Sequence, residues 1–264
     1  LAGRRRPAGR HPRPSLRQLR LTGQNGGGDV CASLLRLAQP QGHAVALADG
    51  VECGALLRRQ HAPGLVAAPV AEEIARYIRE NDLPRPAVVG HSMGGTIGLM
   101  LAARHPDLVG RLMVVDMVPF MGAMFAAPGA SAESVVPVAD QIWAAQANTP
   151  REAYVAQATT AITGMINTEG RREEALEDMR ESDQKVSAAA FRELIVTDLR
   201  PELSKITAPT EVLYVKFNDP RMTPELTDAI YRMSFANLSG AKLKRIDDSA
   251  HFIMFDQPQV FYGE

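Results

Sequence analysis

The motif G-x-S-x-G at residues 90–94, which reads Gly-His-Ser-Met-Gly, constrains this chain more than any other feature. An apolar run at residues 87–89 precedes it, and a helix-like run at residues 95–104 follows it. A strand, a sharp turn and a helix form the context in which this motif exposes a nucleophilic serine. The turn strains the backbone, so its flanking positions must be small. The pattern therefore predicts Ser92 as a nucleophile and the N–H of Met93, at the helix start, as an oxyanion donor; the alternative is a Gly-rich turn with an incidental serine.

Length and composition set broad limits on the rest of the molecule. A chain of 264 residues suits one α/β domain with an insertion, or two small domains. The net charge of −1 implies no attraction to nucleic acid or to a membrane surface. Two cysteines, Cys31 and Cys53, provide neither a disulfide framework nor a metal cluster. No apolar run reaches about 18 residues, so we expect no transmembrane helix, and a cytoplasmic location, with a lost signal peptide left open.

An alternation of strands and helices becomes regular after residue 70. Residues 70–80 have helical periodicity, and residues 112–115 form a second apolar strand that ends in Asp116. Strand, helix and strand at this spacing predict a right-handed parallel βαβ unit. Residues 117–207 show no clear strand and predict a mostly helical insertion, including one charged helix at residues 171–185. The β-α pattern returns with strands at residues 210–215 and 241–246.

Residues 1–66 have a different composition from the rest of the chain. They contain no Ile, Phe, Tyr, Trp, Met or Lys, and ten Arg stand against three acidic residues. Such a stretch favours weak structure or disorder. One hypothesis is that it is a shifted reading frame of a GC-rich gene, and the other is a divergent N-terminus. The gene sequence decides, because the first hypothesis fails if no single insertion or deletion restores a strand pattern.

A serine nucleophile needs a base and an acid. His251 lies in a loop after the last predicted strand, at the sheet edge where the loops after parallel strands meet, and is the predicted base. Two residues compete as the acid. Asp219 follows a strand in the pattern D-P-x-x-x-P-E and is preferred, and Asp116 at the end of the preceding strand is the alternative. His91, beside the serine, is expected to pack or to lie at the surface rather than to act in catalysis.

The elbow at residues 90–95, the acid turn at residues 219–225 and the His loop at residues 249–258 resemble those of the α/β-hydrolase superfamily. The resemblance covers about residues 70–264. It implies an α/β fold with a mostly parallel sheet flanked by helices, a core of residues 67–117 and 208–264, and a helical cap of residues 118–207. Lys216 and Phe217 depart from the pattern, since many relatives have glycine before the acid turn. The second oxyanion donor should follow an early strand, and no residue in 1–66 can be named for it.

The resemblance implies a cofactor-free serine hydrolase, with a carboxylesterase of small or medium acyl esters as the first reading. A perhydrolase or haloperoxidase-like enzyme, a C–C bond hydrolase and a non-catalytic binding protein are the alternatives. The expected partner is a small-molecule ester, with no nucleic acid, membrane or metal, and the oligomeric state is left open. Apolar side chains early in the insertion could line an acyl pocket or join the cap to the core: Phe120, Met121, Met124 and Phe125.

Overall fold

The computed structural model describes residues 66–126 and 129–264, together with the backbone of three earlier strands. Within this part of the chain, seven strands form one sheet in sequential order. They are β1 (Arg17–Leu19), β2 (Leu34–Gln39), β3 (Gly42–Leu47), β4 (Ala87–His91), β5 (Arg111–Val115), β6 (Thr210–Tyr214) and β7 (Lys242–Arg245). The pairs β1–β2 and β2–β3 are antiparallel, and the four later pairs are parallel. The α/β class and the mostly parallel sheet are thus confirmed.

The three early strands fall in the segment for which weak structure is predicted. Its remaining residues lie outside the described residues. They include the loop expected to carry the second oxyanion donor, and the frame-shift hypothesis therefore stays a prediction.

Helices flank the sheet because their apolar residues recur at helical spacing. Helix α1 (Ala67–Glu80) buries Val70, Ile74 and Ile78 on one face. Helix α2 (Met93–Arg104) follows the elbow and is buried along its length except at Arg104. Such a helix, apolar on all sides, belongs between other elements, and α2 packs against α1 and against β4 and β5. After β6 come α7 (Pro224–Ser234) and, beyond β7, the short helices α8 (Ile253–Asp256) and α9 (Pro258–Phe261).

The insertion between β5 and β6 is helical, as the sequence predicts. Its helices are α3 (Ala132–Asn148), α4 (Arg151–Gly164), α5 (Arg172–Glu181) and α6 (Gln184–Val196). The prediction of a single charged helix at residues 171–185 is wrong, because α5 ends at Glu181 and α6 begins at Gln184. The carboxylate of Asp183 accepts from the N–H groups of Lys185 at 2.8 Å and Val186 at 3.0 Å, and so caps a new helix. Among the described residues, no helix is long and apolar enough to cross a membrane.

A buried carboxylate joins the insertion to the core. Glu193 on α6 is 4% exposed, and it accepts hydrogen bonds from the N–H of Val66 and, at 3.0 Å, from that of Ala67. These N–H groups belong to the start of α1, where a helix leaves donors unpaired and carries partial positive charge. Burial nevertheless raises the pKa of Glu193, and the backbone donors oppose this rise without cancelling it.

The raised pKa predicts a pH-dependent stability that a glutamine would lack. A carboxyl with a higher pKa in the folded than in the unfolded state gives a stabilisation that is complete below its unfolded pKa of about 4.3. That stabilisation is lost as the pH rises through the folded pKa. The free energy of unfolding of wild type minus that of Glu193→Gln, measured in urea from pH 4 to pH 8, should therefore fall with pH. The exposed Glu177→Gln serves as the control, and a difference that stays flat or rises would contradict the assignment.

Candidate active site

The elbow holds Ser92 in a backbone conformation that few non-glycine residues adopt. Ser92 has φ 52° and ψ −122°, and it lies between the end of β4 and the start of α2. Its N–H donates to the carbonyl of Val115 on β5 at 2.9 Å, which fixes the turn to the neighbouring strand. A Cβ on Gly90 would come within 2.2 Å of the Gly94 carbonyl oxygen. The tight turn therefore requires glycine at residue 90, as the motif predicts.

Asp116 occupies the same position after β5 that Ser92 occupies after β4. It follows β5 with φ 48°, and its N–H donates to the carbonyl of Leu213 on β6 at 2.7 Å. Its Oδ2 lies 2.6 Å from Nδ1 of His251, and its side chain is 9% exposed. Its Oδ1 accepts from the N–H of Val215 at 3.1 Å and from the hydroxyl of Tyr231 at 3.0 Å. Both carboxylate oxygens are thus engaged in fixed directions.

The loop that carries His251 is itself held on two sides. Asp256 accepts from the N–H groups of Ala250 at 2.8 Å and of Asn167 and Thr168 in the insertion, at 3.1 and 2.8 Å. Burial alone would raise the pKa of Asp256, but these donors lower it below its ordinary value. The buried ring of His91 lies 4.5 Å from that of His251, and its Nε2–H donates to the His251 carbonyl at 3.0 Å. His91 has the packing position expected for it.

Asp219, the preferred acid, lies elsewhere. Its carboxylate forms an ion pair with the guanidinium of Arg221, with 2.6 Å between Oδ2 and Nη2, and also accepts from the Arg221 N–H at 2.8 Å. These bonds lower the pKa of Asp219 to about 2. The structure therefore joins His251 to Asp116 and not to Asp219, which reverses the order of preference drawn from the sequence. The reason is local, since Arg221 two residues later holds the Asp219 side chain on the turn.

Ser92, Asp116 and His251 line one cavity of about 610 Å³ between the sheet edge and the insertion. Its wall is largely apolar and rich in methionine, with Met93, Met117, Met121, Met124, Met165 and Met179. Besides the three candidate site residues, the polar side chains that line it are Gln146, Tyr154 and Gln157 from α3 and α4, Ser182 and Ser187 from the later part of the insertion, and Tyr231 from α7. An apolar cavity with a few convergent polar groups is the usual form of a small-molecule site.

Only two of the four predicted pocket residues, Met121 and Met124, belong to this wall. Phe120 is 2% exposed and packs in a cluster with Val135 and Ile195, under the guanidinium of Arg200 at 4.4 Å. The ring of Phe125 makes an edge contact with Phe191, whose own side chain lines the cavity. Phe120 and Phe125 thus support the wall from behind.

Sequence reasoning did not single out Tyr231 or the role of Asp256. The Tyr231 hydroxyl reaches Asp116 from 115 residues away, so no local pattern could indicate it. Asp256 follows His251 by five residues, a spacing from which a loop-holding carboxylate could have been inferred. In the described part of the chain, no group of three or more His, Cys, Asp or Glu side chains could hold a metal ion.

A comparison with known families decides the classification. The profile described as the alpha/beta hydrolase family matches residues 21–264. The chain belongs to the alpha/beta hydrolase family. The motifs that carry the resemblance begin at about residue 70, whereas the family match begins at residue 21. The match therefore includes much of the segment of unusual composition.

Individual relatives are similar over shorter stretches. The "Putative carbamate hydrolase RutD" of Serratia proteamaculans is 43% identical over 53 residues, which is 20% of either chain. The "sn-1-specific diacylglycerol lipase ABHD11" of Danio rerio is 30% identical over 83 residues, or 31% of this chain and 25% of that one. The chain thus aligns with only about a quarter or less of these relatives' lengths. The enol-lactonase from Burkholderia xenovorans LB400 superposes with a TM-score of 0.59 at 18% identity, over 83% of this chain and 88% of that one, and shows the shared fold.

The elbow geometry predicts that Gly90→Ala disrupts the fold. The added Cβ would meet backbone atoms of Gly94 and Gly95, which cannot move without displacing Ser92. We expect the free energy of unfolding to fall by about 3 kcal/mol or more, at or above the upper end of ordinary overpacking. Gly164→Ala is the matched control, because nothing lies within 4 Å of its added Cβ. Urea unfolding of both variants measures the effect, and equal stability of Gly90→Ala and wild type would refute it.

Proposed function

We propose that this protein is a serine hydrolase that cleaves carboxylic esters through an acyl-enzyme on Ser92. The observation that carries the proposal is the 2.6 Å bond between Nδ1 of His251 and Oδ2 of Asp116, on a cavity that Ser92 also lines. A histidine whose Nδ1–H donates to a carboxylate is in the tautomer that has no proton on Nε2, so Nε2 can act as a base. This is the arrangement that activates a serine hydroxyl.

The proposed reaction has two acyl-transfer steps. As Oγ of Ser92 attacks the ester carbonyl, Nε2 of His251 takes the hydroxyl proton, and the carbonyl oxygen becomes an oxyanion. The oxyanion accepts from the N–H of Met93, which is free of an intrahelical partner because it is in the first turn of α2. Collapse of this intermediate breaks the bond to the alcohol, which leaves with the proton from His251. Water then attacks the acyl-enzyme with His251 as base, and the acid and the free Ser92 are formed.

Asp116 has two roles in this scheme. It fixes the tautomer and orientation of His251, and its negative charge stabilises the imidazolium that forms in each step. Val215 and Tyr231 hold its other oxygen, so the carboxylate needs no reorganisation during the reaction.

The cavity wall favours a neutral, apolar acyl group. Among the described residues that line it, Asp116 and His251 alone have an acidic or basic side chain of the Asp, Glu, Lys, Arg and His types. Methionine side chains adapt their shape, which suits acyl chains of differing length. We therefore infer small or medium acyl esters, and the insertion is their cap. The name of the Serratia relative makes a carbamate the second substrate to test.

The substrate prediction is a chain-length-dependent esterase activity. Purified protein should hydrolyse p-nitrophenyl esters between acetate and laurate, with kcat/KM passing through a maximum as the cavity fills. Ser92→Ala should abolish turnover and labelling by a fluorophosphonate probe, because both need the hydroxyl nucleophile. A p-nitrophenyl carbamate runs beside the esters. Folded wild-type protein that neither turns over these substrates nor takes the label would instead support a non-catalytic binding protein.

The choice of acid gives a second prediction. Asp116→Asn should lower kcat by about 10⁴-fold, as expected when the carboxylate that orients a catalytic histidine is replaced. Asp219→Asn is the matched control, and it should leave kcat nearly unchanged because Asp219 pairs with Arg221 on an exposed turn. The measurement is steady-state hydrolysis of the best p-nitrophenyl ester. A large loss in Asp219→Asn with little loss in Asp116→Asn would reverse the assignment.

A further inference from the structure

We propose that Tyr231 is a positioning residue, whose hydroxyl holds the Asp116 carboxylate in the orientation that presents Oδ2 to His251. The inference rests on the proposed function, since it assigns Tyr231 a task in the same site. Tyr231 acts through Asp116 and is not itself required to touch the reacting atoms.

The hydrogen bonds of Asp116 define this task. The Asp116 side chain has two rotatable bonds, so hydrogen bonds to its other oxygen restrict the direction in which Oδ2 points at His251. Two donors hold Oδ1, the N–H of Val215 at 3.1 Å and the hydroxyl of Tyr231 at 3.0 Å. The first comes from the backbone just after β6, and the second comes from α7. Two donors that reach one oxygen from different elements restrict both rotation and tilt of the carboxylate.

The ring of Tyr231 is unable to swing away. It is 1% exposed and lies in a stack, with its centroid 4.0 Å from that of Tyr214, 5.8 Å from that of Phe217 and 6.4 Å from that of Phe235. The interplanar angles of the three pairs are 18°, 25° and 9°. A ring clamped on its faces delivers its hydroxyl to one place, which is the property a positioning residue needs.

Tyr231 also remains a donor at every working pH. Burial raises the pKa of its phenol well above the ordinary value, and the negative charge of Asp116 raises it further. A phenol that keeps its proton can only donate to the carboxylate, so this hydrogen bond does not alternate between two directions.

The neighbouring Tyr214 offers a matched control within the same stack. Its hydroxyl donates to Oδ1 of Asp228 at 3.0 Å, and Asp228 also pairs with Arg245. Replacement of either tyrosine by phenylalanine removes one buried hydroxyl that donates to a carboxylate and keeps the ring. Only at Tyr231 is that carboxylate the one bound to His251. A loss of packing or stability would appear in both variants, whereas a loss of positioning would appear in one.

The experiment compares Tyr231→Phe, Tyr214→Phe and wild type on the best p-nitrophenyl ester, with each variant's fold checked by thermal unfolding. Tyr231→Phe should lower kcat by about 10- to 100-fold with KM little changed, the range expected for one hydrogen bond to a charged group. Tyr214→Phe should keep the wild-type kcat. In the Asp116→Asn background, Tyr231→Phe should have almost no further effect, because its effect passes through Asp116.

A second readout does not depend on turnover. The Nδ1 proton of His251 on Asp116 should give a far-downfield proton NMR signal in wild type and Tyr214→Phe, and it should broaden or move upfield in Tyr231→Phe. If wild type is active and the two phenylalanine variants behave alike, or if Tyr231→Phe retains its full effect beside Asp116→Asn, the positioning role is overturned. If wild type is folded but inactive and only Tyr231→Phe loses the signal, the positioning of Asp116 stands and the proposed ester hydrolysis fails.

Discussion

The ladder of hydrogen bonds between parallel strands does more than join the sheet, because it continues into the loops that carry the candidate site. The N–H of Ser92 reaches the carbonyl of Val115, and the N–H of Asp116 reaches that of Leu213. Each loop residue is thereby fixed to the end of the next strand. Since parallel strands end at one edge, the same bonds place residues from distant parts of the sequence along that edge. The cavity and the contact between His251 and Asp116 depend on this alignment.

The alignment requires strained backbone at two places. Both Ser92 and Asp116 have positive φ, at 52° and 48°, where a non-glycine residue costs about 1–3 kcal/mol. A strained residue persists only when its surroundings determine it, and here the strand ladder does so on one side. Close packing supports the elbow on the other, because a Cβ at Gly95 would lie 3.0 Å from Met117 Cβ and 3.1 Å from a Val114 methyl. The glycines of the motif thus reflect the approach of a helix to a strand, as well as the turn itself.

The sequence could predict elements whose signal is local, and it could not rank contacts that are distant. The elbow, the βαβ unit and the helical insertion follow from periodicity and from small residues at fixed spacing. Asp116 and Asp219 both follow a strand, so the pattern could not separate them. The separation comes from Arg221, which pairs with Asp219, and from Tyr231, which reaches Asp116 across 115 residues. The sequence could not predict the helix boundary at Asp183 for a different reason. Asp183 is the N-cap of α6, but it lies in a run of charged residues and there looks like one more residue of a charged helix.

Two of the carboxylates that join the insertion to the rest of the molecule accept from backbone N–H groups, yet their pKa values move in opposite directions. Burial dominates at Glu193, whose pKa is raised, whereas the donors from Ala250, Asn167 and Thr168 dominate at Asp256, whose pKa is lowered. A lowered pKa gives a stabilisation that is present above the unfolded pKa and lost as the pH falls. Acid therefore weakens the tie at the His251 loop while it favours the folded form at Glu193. The hydrogen bonds from Ala250, Asn167 and Thr168 thus favour the ionised form of Asp256, and through them that carboxylate ties the His251 loop to the insertion.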